Sequence, residues 1–398
     1  MTTASDLRGC RVCIVQPALP AYRVPVFNLL VTGHGIDLTI AAEFRPIWGS
    51  LRSERGDGTF KTIEAPITLW RGLLRQPMQL ELARRQPMQL ELARRGAFDV
   101  MILPLNRKSL DIDLTIRAAR RRGIGTVLWG HGFSKRESWL RRTLRNNLLR
   151  KGDAGLLYSS AARERLVGEG LDPTRLFVAQ NAIDHRRVEQ AIQSWNATPD
   201  RLAQFRREHA LEHGETVLFI SRMEPDKRVE VLIDAFARLR RRRPHARLVL
   251  VGNGSCVPEL QERAKAAGLG ESVTFTGPIY DEALLAPWAM SAACFVYPAA
   301  IGLSIYHAFA YGLPVLTSDD IASHNPEIEA LEPGVNGLLV KDGDPAAFAQ
   351  AIERVIGDPG ARARFRQAAL DTIHRPGGFT IDTMAQGFAD AIAAVRRR

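Results

Sequence analysis

Short apolar runs rich in β-branched residues recur along the whole chain, separated by stretches with helical amphipathic spacing. In the first half these runs are RVCIVQPAL, IDLTIAAE, FDVMILPL, GTVLWGHG, AGLLYSS and RLFVAQNAI. The alternation then restarts with TVLFISRM, ARLVLVGNGS, SVTFTG, CFVYPA, LPVLTSD and GLLVKDG. Unbroken apolar runs mark strands buried on both faces, and strands alternating with helices build parallel βαβ layers, not a sandwich or a bundle. The pattern predicts an α/β protein with two doubly wound sheets. Between the halves, QSWNATPDRLAQFRREH has no strand character, which puts the boundary near residue 195. The expected domains are therefore 1–195 and 196–375, followed by an amphipathic helix over 376–398 that ends in three arginines and is free to cross back to the N-terminal domain. Open α/β sheets bind ligands at the carboxyl ends of their strands, so the expected site is a cleft faced by both domains.

Length and composition fit this division. A chain of 398 residues exceeds what one core organises, and 45% hydrophobic with 24% charged residues is ordinary for a folded protein. No run approaches the roughly 20 apolar residues that cross a bilayer, and MTTASDLRG lacks the pattern of a secretion signal, so a cytoplasmic location is expected. Four cysteines make no disulfide framework; Cys10 and Cys13 share C-x-x-C spacing but lie in a predicted buried strand, with no second pair to complete a zinc site. The net charge of +11 is uneven: Arg117 to Lys151 holds eleven Lys or Arg against Glu137, a local net of +10. Such a patch seeks anions, and nucleic acid fits poorly because few aromatics interleave it. Within it, SWLRRTLRNNLLRKG spaces Trp139, Leu140, Leu144 and Leu148 among arginines. This segment reads either as a basic amphipathic helix on anionic lipid at the inner membrane face or as a domain helix with a core-facing apolar side. The decapeptide QPMQLELARR at 76–85 repeats unchanged at 86–95, out of helical phase by about 80° and interrupted by Pro87, and is read as a tolerated duplication.

The strongest chemical signal begins where TVLFISRM ends. Ser221 and Arg222 leave a strand and EPDKR leads into the helix VEVLIDAFARL, with Lys227 at the helix entrance. Two cations beside a helix N-terminus suit one diphosphate, although the segment alone also fits a solvated charged turn. Further on, Gly302, Leu303 and Ser304 open a short helix closed by Gly312, where backbone amides point toward an anion.

The segments VLFISRMEPDKRVEVLIDAF, ARLVLVGNGSCVPEL, VTFTGPIYDEALLAPWA, GLSIYHAFAYGLPVLTSD and PGVNGLLVKDGDPAAFAQAI follow one another over about 170 residues. Their order resembles that of family 4 of the retaining glycosyltransferases. The resemblance implies a GT-B fold of two Rossmann-like domains and a nucleotide diphosphate sugar as donor. It implies diphosphate contacts from Arg222 and Lys227 beside Ser221, and donor contacts from Gly302, Leu303 and Ser304. It also implies base recognition by Pro278, Ile279 and Tyr280, with Gly252 and Asn253 closing the same wall. The pattern departs from the family at its paired glutamates: His307 stands where the ribose-binding one belongs, and the loop PAAIGLS is short, with Ala299 or Ala300 near the place of the other. A neutral imidazole can keep one hydrogen bond to a ribose, so the difference falls on recognition of the sugar. In the N-terminal half, Tyr22 and Arg23 are similar to a Tyr-Arg pair that opens the first helix in a subgroup and are assigned to the acceptor side. His131, at a strand end among glycines, matches a histidine beside the donor sugar and is grouped with Arg222 and Lys227 as catalytic.

The expected function is retaining transfer of a sugar to a hydroxyl acceptor, lipid-linked in one reading, for a surface glycan, polysaccharide or glycolipid. Arg222 and Lys227 would stabilise the leaving diphosphate, so no metal or other cofactor is expected. The alternatives are a nucleotide-sugar epimerase of the same architecture and a relative that binds without turnover. An NAD enzyme is disfavoured because PALPAYR follows the first strand where G-x-G-x-x-G would stand.

Overall fold

The computed structural model describes residues 7–44, 53–65, 68–70, 73–75, 98–106, 112–133 and 138–396. The duplicated decapeptide and residues 134–137 of the basic patch lie outside them. The chain divides into two compact units, one formed by Met1–Ala182 with Ile381–Arg398 and the other by Ile183–Thr380.

The first unit is built on seven strands: β1 (Arg11–Val15), β2 (Asp37–Ala42), β3 (Lys61–Glu64), β6 (Val100–Pro104), β7 (Gly125–Gly130), β8 (Ala154–Leu157) and β9 (Leu176–Val178). They pair in parallel in the order β3-β2-β1-β6-β7-β8-β9, and a separate antiparallel pair joins β4 (Thr68–Trp70) to β5 (Leu73–Arg75). Side chains alternate across a strand. Val12 and Ile14 therefore join the core beneath α1 (Val24–Thr32), while Cys13 and Val15 join the opposite one, lined by α2 (Ile112–Arg121), α3 (Trp139–Lys151) and α4 (Ser160–Gly168). The same alternation puts Cys10 and Cys13 in different cores, which disposes of a redox or metal pair; burial pushes the Cys13 thiol up to about 12.

The second unit holds β10 (Thr216–Ile220), β11 (Arg247–Val251), β12 (Val273–Gly277), β13 (Ala292–Tyr297), β14 (Val315–Ser318) and β15 (Gly337–Val340), all parallel in the order β12-β11-β10-β13-β14-β15. Its helices are α5 (His185–Asn196), α6 (Pro199–Glu208), α7 (Val229–Arg240), α8 (Val257–Ala266), α9 (Glu282–Met290), α10 (Ser304–Ala310), α11 (Pro345–Gly357) and α12 (Pro359–His374). Two Asp-Pro pairs start the last two: Asp344 accepts from the amides of Ala346 and Ala347, Asp358 from that of Ala361, and each proline fills the first helical position.

One boundary differs from expectation, and the return of the C-terminal helix agrees with it. The polar stretch 193–209 has no strand, as expected, but its helices belong to the second unit: Trp195 and Leu202 are buried, and the Trp195 indole donates to the Ala283 carbonyl at 2.8 Å. The division therefore falls after Ala182, ahead of residue 195. The last helix, α13 (Ile381–Val395), belongs to the first unit, where Ile381, Met384, Phe388 and Ile392 are buried against its core. Its Gly387 is so close to β9 that a Cβ would lie 2.1 Å from the Val178 carbonyl oxygen. Among the described residues no helix is long and apolar enough to cross a membrane.

Candidate functional site

In the second unit the sheet reverses its winding between β10 and β13, which lie side by side. Loops at the carboxyl ends of such neighbouring strands diverge and leave room for a ligand. Four of the expected segments leave strands at this end: Ser221–Lys227 follows β10, Gly252 and Asn253 follow β11, Pro278–Tyr280 follow β12, and Gly302–Ser304 come after β13.

The first two segments run backbone to backbone. Ser221 N donates to Val251 O, Met223 N to Asn253 O and Cys256 N to Met223 O, at 3.1, 2.9 and 3.0 Å. Glycine makes this approach feasible: a Cβ on Gly252 would lie 1.9 Å from the Ser221 carbonyl oxygen, and one on Gly254 would lie 2.3 Å from that of Met223. Met223 is buried and anchors the turn, leaving Arg222 exposed. Lys227 closes the 3-10 turn Pro225–Lys227 just ahead of α7, only 17% exposed, with its amine 2.6 Å from Asp226. Arg228 holds a left-handed conformation (φ 53) and reaches Asp342 at 2.8 Å, tying the turn to the segment after β15. Burial raises the Asp342 carboxyl, but hydrogen bonds from Ser318 and Arg228 outweigh it and hold the group below its ordinary range.

The Gly302 turn is held by residues that carry no sequence signal. The Ile301 amide donates to His324 Nδ1 at 3.0 Å, so His324 carries its proton on Nε2, which donates to Ser318 O at 2.8 Å. Asn325 lies beneath the turn; a Cβ on Gly302 would come within 3.0 Å of its side-chain nitrogen. Gly312 ends α10 at φ +69.

His307 projects from α10 toward α9, where its Nε2 lies 2.9 Å from Glu282, and the Tyr311 hydroxyl donates to the same carboxylate at 2.8 Å. Burial raises the Glu282 carboxyl, but the His307 and Tyr311 hydrogen bonds and the charge of Arg187 bring it below the usual value. An acid is thus present beside the position that lacks one, supplied by the neighbouring helix. Tyr280 is 92% exposed at the mouth of the β12 loop, with Pro278 exposed and Ile279 half-buried beside it, and the Asn253 side chain accepts from the Gly254 amide at 2.8 Å.

In the first unit, Tyr22 and Arg23 occupy a 3-10 turn, Ala21–Arg23, ahead of α1. The Arg23 guanidinium donates to Gln16 Oε1 and to the Tyr158 hydroxyl, both at 2.7 Å, and its carbon sits 4.5 Å from the Trp129 ring centre. His131 is exposed beyond β7, its ring 4.7 Å from that of Tyr158. Gln16 Nε2, Arg23 Nε and Trp129 Nε1 are buried donors without a hydrogen-bond partner among the described residues.

Residues 214–358 match the family described as "Glycosyl transferases group 1". The chain is 29% identical over 272 residues to the D-inositol 3-phosphate glycosyltransferase of Nocardia farcinica, covering 63% of this chain and 59% of that one. It is 34% identical over 167 residues to the phosphatidyl-myo-inositol mannosyltransferase of Mycobacterium leprae, covering 41% and 42%. In both cases the match spans less than two thirds of the relative's length. Among solved structures, Anabaena Alr3699/HepE in complex with UDP superposes with a TM-score of 0.69 at 18% identity, covering 97% of this chain and all of that one. The fold is that of the GT-B glycosyltransferases, two Rossmann-like domains built on parallel sheets.

Proposed function

We propose that the chain is a retaining glycosyltransferase that moves a sugar from a nucleotide diphosphate donor to a hydroxyl acceptor in the assembly of a surface glycan or glycolipid. The observation that carries this reading is the arrangement around β10 and β13: a cationic turn and an amide-rich helix start leave two adjacent parallel strands at the same end, within the segment that matches the glycosyltransferase family. The Anabaena structure holds UDP, which makes UDP-sugars the first donors to test.

In the proposed reaction the anomeric C–O bond breaks and charge grows on the leaving diphosphate. Arg222, Lys227 and the amides at Leu303 and Ser304 meet that charge as it forms, so no metal is required for it. The acceptor oxygen bonds to the anomeric carbon on the face the diphosphate leaves, and its proton passes to a phosphate oxygen, as the family's front-face mechanism implies. Glu282, oriented by His307 and Tyr311, offers the ribose hydroxyls an acceptor in place of the missing glutamate. Pro278, Ile279, Tyr280, Gly252 and Asn253 form the base wall, Gly302 to Ser304 flank the phosphates and sugar, and His131 serves the sugar. Tyr22 and Arg23, among the donor-rich groups of the first unit, belong to the acceptor side.

Purified protein incubated with a panel of nucleotide sugars is expected to release nucleoside diphosphate, faster with a hydroxyl acceptor present. The double variant Arg222→Ala/Lys227→Ala should bind nucleoside diphosphate about a hundredfold more weakly. Unchanged affinity in that variant would overturn the donor site. Binding without release would indicate a non-catalytic relative, and an epimerised nucleotide sugar would indicate the epimerase.

A further inference from the structure

Two helices far apart in sequence bring three side chains together in the second unit, His185 buried, Glu189 half-buried and His374 exposed. His185 is the first residue of α5, Glu189 follows one turn later on the same helix face, and His374 is the last residue of α12. One ligand atom from each can be chosen so that all three lie within 4.8 Å of one another. His374 Nε2 is 3.5 Å from Glu189 Oε1, and the two imidazole rings stand 5.9 Å apart at 72°. Ligands about 2.0–2.1 Å from a tetrahedral zinc ion are separated by roughly 3.3 Å, so small side-chain movements close this geometry. Neighbouring cations are engaged elsewhere: Arg187 pairs with Asp184 at 3.6 Å and Arg375 with Glu332 at 2.9 Å.

We propose that His185, Glu189 and His374 form a binding site for a divalent transition metal, best suited to Zn2+, with water completing the coordination. Two neutral imidazoles and one carboxylate are borderline ligands that favour zinc over the oxygen-seeking Mg2+ and Ca2+. The position gives the site its purpose. The chain enters this unit at Ile183 and leaves it at Thr380, so the ligands stand two and six residues from the two crossings. A metal here ties the unit's entry segment to its exit segment and closes a loop of nearly the whole unit, the kind of cross-link that stabilises by restricting the unfolded chain. The role is structural, separate from glycosyl transfer, and its test does not depend on that activity.

The test uses the full chain without an affinity tag, stripped with chelator and desalted, with Co2+ and Zn2+ as probes. One equivalent of Co2+ should bind with a visible d–d absorption, be displaced by Zn2+, and raise Tm by about 5–10 °C at a hundredfold excess over Kd. The accessible ligands supply the variants: His374→Ala and Glu189→Gln should each weaken Co2+ binding by more than about tenfold while retaining the wild-type circular dichroism. His213→Ala, which breaks the stacked His213–His245 pair elsewhere on the same unit, should leave it unchanged. Absence of a saturable one-to-one signal in wild type, or equal affinity in the His374 and Glu189 variants, overturns the proposal.

Discussion

A side chain at Gly252 would have to displace the Ser221 carbonyl. Its φ of +142 is nearly closed to other residues, and the 1.9 Å approach leaves no room for a Cβ. Gly252→Ala is therefore expected to cost about 1–3 kcal/mol from backbone strain alone. Because the displaced segment carries Arg222, the loss of nucleoside diphosphate affinity should exceed the loss of stability, compared by calorimetry and chemical denaturation. Glu282 yields a second prediction. Its folded pKa lies below its unfolded one, so the stability it contributes is complete above the ordinary glutamate pKa of about 4.3 and disappears as pH falls through the lower folded value. Glu282→Gln should be less stable than wild type near neutral pH, and the gap should narrow as pH drops through that window; a constant gap would mean the carboxylate charge is not what His307 and Tyr311 hold. At this scale legibility follows chain locality. Gly252, Arg222 and Lys227 stand at strand ends within recognisable runs. Glu282 and His324 act through partners more than twenty residues away, and nothing near them in sequence announces it.

At the scale of the element, α3 divides the side chains of the basic segment between core and surface. Successive residues turn about 100° around a helix, so Trp139, Leu140, Leu144 and Leu148 fan over about 180° and cannot share one narrow stripe. Leu148 and Leu149 go to the core, as do Asn146 and Arg145, whose guanidinium pairs with Glu169. Trp139, Leu140 and Leu144 stay 70%, 52% and 37% exposed beside Arg141 and Arg142. Exposed aromatic and leucine side chains among arginines suit the headgroup region of an anionic membrane. Sedimentation with phosphatidylglycerol vesicles at low salt should fall sharply in Trp139→Ser/Leu140→Ser, with far-UV circular dichroism preserved; equal pelleting would remove the membrane role from this helix. The buried strands were legible because burial on both faces writes an unbroken apolar run. β3, whose sequence KTIE lies at the sheet edge with its ends exposed, writes none, and the same holds for α5, where a few buried residues such as Trp195 anchor an otherwise polar helix.

For the whole molecule, two α/β layers and the return of the C-terminal helix could be anticipated, whereas the position of the division could not, because it is set by which core Trp195 enters and not by local polarity. Phe388 in α13 packs edge-on against Phe27 and Trp129, with ring centres 6.0 and 4.8 Å apart. Phe388→Ala should cost about 3–5 kcal/mol. Removing residues 381–398 should leave the first unit open to limited proteolysis while residues 183–380 stay resistant; resistance of both would show that α13 is dispensable to that core. The order of synthesis gives this helix a further importance. A ribosome releases residues from the N-terminus onward, and domains generally fold in that order. Here an earlier segment waits for a much later one: Phe27 and Trp129 remain without their final apolar neighbour until Phe388 has left the exit tunnel, so the nascent chain carries an unfinished hydrophobic surface while the whole second unit is made, and chaperone binding should concentrate on that surface.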